Sequence, residues 1–344
     1  VQKRDFLSLL KEDLAGLVLA VLIGLMGYGA KLIMQSPIAD PLLVAMVMGI
    51  VVRTATGGST RLRPGFTVAP MIFIPLGIGF YAANNLNFVK FAKVQTSIIS
   101  ILIVVIFVYF AVILLLGKLL GQKKQITYLT ATGSAICGAS AIAITSPAVE
   151  AEPDDISISL LSVALAALVG LFIILPFCAT LLGITDRNYS LLSASVLQFT
   201  GFVKAAVGSA AFLSTDTPVR DLMSLALSVK AVRYLGLLIA IPLFASLVRK
   251  KLYIPWILWF FLGCGLLGTW VYSSNETFYT ETLTPLIRPI YDVSWSIAMA
   301  AIGLNVDARE LLSNNGTKAL IMAFTGFFAA TATFFIGLYI FVIR

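Results

Sequence analysis

Histidine is absent from the 344 residues, which removes the commonest general base and the commonest transition-metal ligand. Charge is also scarce: Asp, Glu, Lys and Arg make up 12% of the chain, too little to cover a water-soluble surface. Only three cysteines occur, Cys137, Cys178 and Cys264, each inside an apolar segment where a thiol behaves as a small hydrophobe. They form no disulfide framework and no metal motif. There is no intramembrane carboxylate pair and no Gly-x-Ser-x-Gly elbow. These absences weigh against an enzyme, and no cofactor or metal is expected.

What is present in abundance is apolar residue: 59% of the chain, with a mean hydropathy of +0.99. Apolar runs of about 20 residues, long enough to cross a hydrocarbon layer as helices, recur from Leu14 onward. The first, Leu14 to Met34, is too long for a signal-peptide core and lacks a small-residue cleavage site, so it reads as a span. The expectation is an all-α polytopic membrane protein forming a single transmembrane unit over 1–344. Its spans are expected at 13–34, 41–53, 68–84, 95–117, 126–148, 156–183, 189–212, 222–248, 254–272, 289–306 and 318–343, eleven in all.

The net charge of +8 does not point to nucleic acid, because the basic residues sit in short loops between spans rather than on a polar domain. With the N-terminus inside, the inner loops hold fifteen Lys and Arg (Lys3, Arg4, Lys11, Arg53, Arg61, Arg63, Lys118, Lys123, Lys124, Arg187, Arg249, Lys250, Lys251, Arg309, Lys318) and the outer side six (Lys31, Lys90, Lys93, Arg220, Arg288, Arg344). The positive-inside rule then predicts N-in and C-out, and it places the acidic run Glu150, Glu152, Asp154, Asp155 outside. Pro41–Gly49 resembles Pro255–Gly263, and Leu76–Phe80 resembles Ala300–Leu304. These pairs join the second span to the ninth and the third to the tenth, in opposite orientation, as an inverted repeat requires.

Two spans depart from the lipid-facing pattern. In Thr130–Pro147 nearly every residue is small. Gly133 and Gly138 weaken a helix there by roughly 1 kcal/mol each relative to alanine, so a break near the middle is expected. A broken helix exposes N–H groups and the positive end of a dipole, which favour an anion. The second, Ser193–Ser209, carries Ser195, Gln198, Thr200 and Lys204. Lys204 lies about nine residues, or roughly 13 Å, below the outer end of its span. The next span brings Lys230 to the same depth and Arg233 one turn deeper on the same face.

No acidic residue lies at comparable depth; Asp292 comes nearest, at the outer start of its span. A basic side chain at a helix centre costs about 2.5–3.5 kcal/mol on insertion scales, so three of them need compensation from carbonyls, water, loss of a proton or a transported anion. The anion uses all three, and Arg233 offers a planar fork for a sulfonyl, carboxyl or phosphoryl face. The candidate site is therefore Ser134, Gly138, Ser140, Gln198, Thr200, Lys204, Lys230 and Arg233. Core-type broken helices are expected in 126–150 and 189–248, and panel-type helices in the remainder.

Gly133-Ser-Ala-Ile-Cys-Gly-Ala-Ser-Ala-Ile-Ala143, followed by Ser-Pro-Ala-Val-Glu-Ala-Glu152, resembles the signature of the YeiH-type sulfate exporter family. Leu76–Gly79, the Lys230–Arg233 span, Ile254-Pro-Trp256 and Ala298–Asp307 support the resemblance. It implies a carrier of the bacterial inner membrane, multi-pass, distantly related to cation/proton antiporters and bile-acid symporters, with crossed broken helices. The sequence departs from that pattern where many members carry Ser-Ile-His-Asp-Thr-Ala-Gln, for this chain has Ser195-Val-Leu-Gln-Phe-Thr-Gly201, and Lys204 enters one turn later. The expected function is export of sulfate, sulfite or an organosulfonate by alternating access, with an anion channel and an ion/proton antiporter as alternatives. A coupling proton or sodium ion, the lipid bilayer and a second copy in a homodimer complete the expected partners.

Overall fold

A chain in hydrocarbon must satisfy every backbone N–H and C=O internally. In the computed structural model, which describes residues 14–34, 40–57, 62–89, 94–209, 218–306 and 313–340, all regular structure is helical. The helices are α1 Leu14–Met34, α2 Pro41–Thr56, α3 Arg63–Asn85, α4 Thr96–Leu119, α5 Lys124–Ala135, α6 Ala139–Thr145, α7 Pro153–Leu182, α8 Asp186–Val196, α9 Thr200–Ser209, α10 Val219–Arg249, α11 Trp256–Ser274, α12 Thr284–Asn305 and α13 Asn314–Leu338. Seven of them, α1, α3, α4, α7, α10, α11 and α13, are long and apolar enough to cross a membrane, while α2 is apolar but shorter. Side chains such as Phe107, Leu181, Ile239 and Trp270 lie exposed on these helices, the surface that lipid requires.

Local chemistry explains the boundaries. Asp40 caps α2 by accepting the N–H groups of Leu42 and Leu43, with Pro41 at the first helical position. A π turn at Gly170–Ile174 precedes Pro176, which has no N–H to continue the ladder. Arg233–Leu235 forms a single 3₁₀ turn in the middle of α10.

Two segments expected to be single crossing helices instead fold as helical hairpins. The break in 126–148 is real: α5 stops at Ala135, and Gly138 takes φ +69° and ψ −125°, a conformation open essentially to glycine alone. After the break, however, α6 runs antiparallel to α5, so that Ile142 packs directly on Gly133. At the foot of the hairpin Lys123 pairs with Glu152 at 2.6 Å and Asp155 at 2.9 Å. The two ends of this segment therefore lie on one side, and the acidic run is not opposite Lys123 as expected. The Lys123 ammonium also holds the Glu152 carboxyl below the ordinary carboxylate range.

The 189–212 segment repeats the device. Its first half runs alongside α4, with Arg187 bonded to Gln95 at the start of α4 and Val196 O to Tyr109 OH. Leu197 is extended, and α9 then returns antiparallel to the first half of α10, with Thr200 Oγ1 3.2 Å from Tyr234 OH and Gly208 beside Met223. The reason the sequence misleads is length: two half-helices of about ten residues carry as many apolar residues as one span.

Membrane-impermeant thiol labelling tests both hairpins in a variant lacking the native cysteines. Lys124→Cys and Asp154→Cys should react from one face, and Arg187→Cys and Arg220→Cys from the other; reaction of either pair from opposite faces would restore a crossing helix.

Helices α1, α2, α3, α11 and α12 pack on one another, and α4, α7, α10 and α13 surround the two hairpins. Gly49 and Gly303 let α2 and α12 approach backbone to backbone, since a Cβ at Gly49 would lie 2.5 Å from the Ala300 carbonyl. Of the charges used for orientation, Lys3, Arg4, Lys11, Arg61, Lys90, Lys93, Arg309 and Arg344 lie outside the described residues, as do Asp307 and the expected span ends at 13, 210–212 and 341–343.

Candidate functional site

The hairpin tips meet at the centre, where the Phe199 ring covers Gly138 so closely that a Cβ there would lie 3.0 Å from it. Each tip ends a half-helix, α5 or α8, whose last carbonyls have no intrahelical partner and carry the negative end of a dipole. Lys230 and Arg233, both 0% exposed, answer them. Lys230 Nζ donates to Ile136 O at 3.0 Å and Leu197 O at 2.6 Å. Arg233 donates from Nε to Ala135 O at 3.0 Å and from Nη2 to Ser134 O at 2.9 Å. Its Nη1 donates to Ala194 O at 3.2 Å and Leu197 O at 2.9 Å. Six charge-assisted bonds thus tie the two tips to α10. These buried cations have no acidic partner among the described residues because helix C-termini take that place.

Tyr109 of α4 secures the second tip, donating to Val196 O at 2.8 Å and accepting from Gln198 Nε2 at 3.1 Å. Ser134 Oγ and Gln198 Oε1 are buried beside these bonds without a partner of their own among the described residues.

The sequence brings Lys204, Lys230 and Arg233 to one anion; the structure divides them. Lys230 and Arg233 lie within the tips, together with Ser134, Gly138 and Gln198. Ser140, Thr200 and Lys204 line a cavity of about 950 Å³ above the tips. Its hairpin wall carries Cys137, Ser140, Thr200, Gly201 and Lys204, backed by Ser228 and Tyr234 of α10. Thr200 and Gly201 belong to the first turn of α9, whose N–H groups lack intrahelical acceptors. Lys204, half-buried, makes no hydrogen bond or ion pair with the described residues.

The opposite wall holds residues that sequence reasoning missed: Lys31, Asp40, Asn84, Arg288 and Asp292, above a floor of Tyr81, Tyr291 and Trp295. Lys31 and Asp292 form an ion pair at 2.5 Å, and Asn84 Nδ2 donates to Tyr291 OH at 3.3 Å. The available signal was polar punctuation of apolar runs: Lys31 near the end of α1, the Asn84-Asn85 pair at the end of α3, and Asp292 inside the last expected out-to-in span.

A second cavity, about 500 Å³, lies toward the other ends of α3 and α12 and is lined by Met71, Ile74, Glu150, Arg249, Tyr253 and Asn305 among others. Arg249 bonds Glu150 at 2.9 Å and stacks over the Tyr253 ring at 3.8 Å. Trp295 lines the large cavity and is bonded to a residue that lines the small one. Its indole N–H donates to Ile74 O at 3.2 Å, its ring rests on Gly77, and Tyr81 lies 4.8 Å from it between centroids.

Comparison with known proteins places this geometry in a family. Residues 15–323 match the family described as "Conserved hypothetical protein 698". A UPF0324 membrane protein of Archaeoglobus fulgidus is 26% identical over 324 residues, covering 94% of this chain and 92% of that one. One from Bartonella henselae is 28% identical over 320 residues, with 89% and 86% covered. One from Fusobacterium nucleatum is 24% identical over 343 residues, with 93% and 96% covered. No solved structure matches the chain.

Proposed function

Starting from a chain that belongs to the conserved hypothetical protein 698 family of UPF0324 membrane proteins, we propose that it is a secondary transporter of a small anion, of the YeiH-type sulfate exporter class. One observation carries the reading: Lys204, which has no ion pair among the described residues, stands one turn above the first-turn N–H groups of α9 in a cavity walled by the hairpin tips. A cation and a helix N-terminus on one wall form an anion subsite. Sulfate, sulfite and organosulfonates fit its chemistry. The reading assigns the chain no enzymatic step and no cofactor.

In this reading nine helices cross the bilayer, α1 to α4, α7 and α10 to α13, with the N-terminus inside. The first hairpin enters from inside and the second from outside, which is the relation an inverted repeat produces. Arg187, bonded to Gln95, moves to the outer side, leaving fourteen inner Lys and Arg against seven outer, still in the required sense. The large cavity then faces outward and the small one inward. Alternating access follows from the hairpin group moving as a body against α1, α2, α3, α11 and α12, carrying Lys204 past the Trp295 barrier. A proton or sodium ion is the coupling partner to test.

Thermal stability of the detergent-purified protein, titrated with sulfate, sulfite, isethionate, phosphate, dicarboxylates and chloride, tests the site. A ligand at 100 times its Kd should add about 2.7 kcal/mol, and Lys204→Ala should lose that gain while its unliganded stability stays unchanged. An equal gain in the mutant would remove Lys204 from the site. Trans-stimulated, saturable exchange in proteoliposomes separates a carrier from an anion channel with the same selectivity.

A further inference from the structure

The cavity carries unsatisfied charge of both signs on facing walls. On the hairpin wall is Lys204, without an ion pair among the described residues. On the wall opposite is Asp40, likewise without an ion pair. Asp40 commits Oδ1 to capping α2 through the N–H groups of Leu42 and Leu43, at 3.0 and 3.2 Å, and Oδ2 takes no hydrogen bond from the described residues. Asp292 adds a second carboxylate to the same wall, and the Lys31 ammonium already sits against it at 2.5 Å, so an ammonium fits there. Beneath lie Tyr81, Tyr291 and Trp295, with ring centroids 4.8 to 5.9 Å apart.

A plain dianion drawn to Lys204 would face the Asp40 carboxylate, a like charge that no ion pair among the described residues offsets. Asp292, by contrast, is already offset by Lys31, and Arg288 lines the same wall. A carboxylate beside aromatic rings is instead the chemistry that holds an ammonium group, while a lysine at a helix N-terminus holds an acid. We propose that the ligand of this cavity is a small zwitterion, an amino-sulfonate or amino-carboxylate, bound with its acidic group at Lys204 and Thr200 and its ammonium at Asp40, Asp292 and the aromatic floor. The proposal rests on the cavity being the transport site, and narrows the substrate class within that reading.

The test uses matched ligands that differ only in the cationic end: taurine against isethionate, and β-alanine against 3-hydroxypropionate, each titrated into the purified full chain by calorimetry. The ammonium member of at least one pair should bind tenfold or more tightly. Asp40→Asn, in which asparagine still caps α2, should remove that preference and keep the hydroxyl ligand's affinity; Asp292→Asn should do the same where it folds. Lys204→Ala should weaken both members. The taurine and β-alanine pairs together decide between sulfonate and carboxylate. If isethionate binds as well as taurine and 3-hydroxypropionate as well as β-alanine, the zwitterion falls and the anion carrier stands. If no zwitterion binds but sulfate does, the outcome is the same. If neither these ligands nor any anion binds, both readings fall. A tenfold preference that survives intact in Asp40→Asn and Asp292→Asn would also overturn the assignment of the cationic pole.

Discussion

Arg233→Ala should destabilise the protein more than any other single truncation at the hairpin tips. The guanidinium makes four of the six bonds that hold the broken ends of α5 and α8, and no other donor is placed to replace it. Removing one side of a buried, charged arrangement costs about 3–5 kcal/mol, and here the carbonyls of Ser134, Ala135 and Ala194 would be left without the partner they now have. Arg233→Lys keeps the charge but loses the planar fork that reaches both tips, so an intermediate loss is expected. Lys230→Met should cost less than Arg233→Ala, and the double variant less than the sum, because both side chains share Leu197 O. Thermal unfolding in detergent measures all four. If Arg233→Ala keeps its melting temperature and loses only stabilisation by anions, the guanidinium contacts ligand and is not a staple.

In the proposed carrier, Trp295→Ala should produce a leak. The indole is almost completely buried yet forms the floor of the large cavity, while its hydrogen-bond partner Ile74 lines the small one. Truncating it removes the plug and leaves Gly77 with no side chain of its own to fill the gap. The expected result in proteoliposomes is anion efflux that needs no counter-substrate and does not saturate, together with a stability loss of about 3–5 kcal/mol. Trp295→Phe retains the ring and loses only the N–H bond to Ile74 O. It should exchange normally with a smaller loss, on the order of 1 kcal/mol. Tight, saturable exchange in Trp295→Ala would place the barrier elsewhere, with Tyr81 and Tyr234, 5.7 Å apart, as the next plug to test.

Both results depend on details of uneven legibility. The break at Gly138 was readable, because glycine among small residues weakens a helix locally and no neighbour is needed to see it. The one before Thr200 was not placed, because Leu197-Gln198-Phe199 carries neither glycine nor a run of small residues. The depth of Lys230 and Arg233 was readable as well, since it follows from counting residues along a span. Their partners were not: a backbone carbonyl has no sequence signature, and Ser134 O or Leu197 O becomes an acceptor only because a helix stops there and faces α10. Lys123 with Glu152, and Lys31 with Asp292, were likewise invisible: the first pair forms only because the segment between them folds back, and the second joins elements 261 residues apart.

By itself the sequence determined the solvent and the building material, because hydropathy and charge scarcity leave a chain no alternative to helices in lipid. It also determined the break at Gly138 and that Lys230 and Arg233 lie away from the ends of their helix, since both are local properties of composition and length. Only the tertiary structure decided that the two broken segments turn back, that Lys230 and Arg233 serve helix ends while Lys204 faces the cavity, and that Asp40 and Asp292 stand across from it. Apolar length is the same for one span and for a hairpin of two half-helices, and direction, pairing and facing walls are set by packing between segments that the sequence keeps far apart.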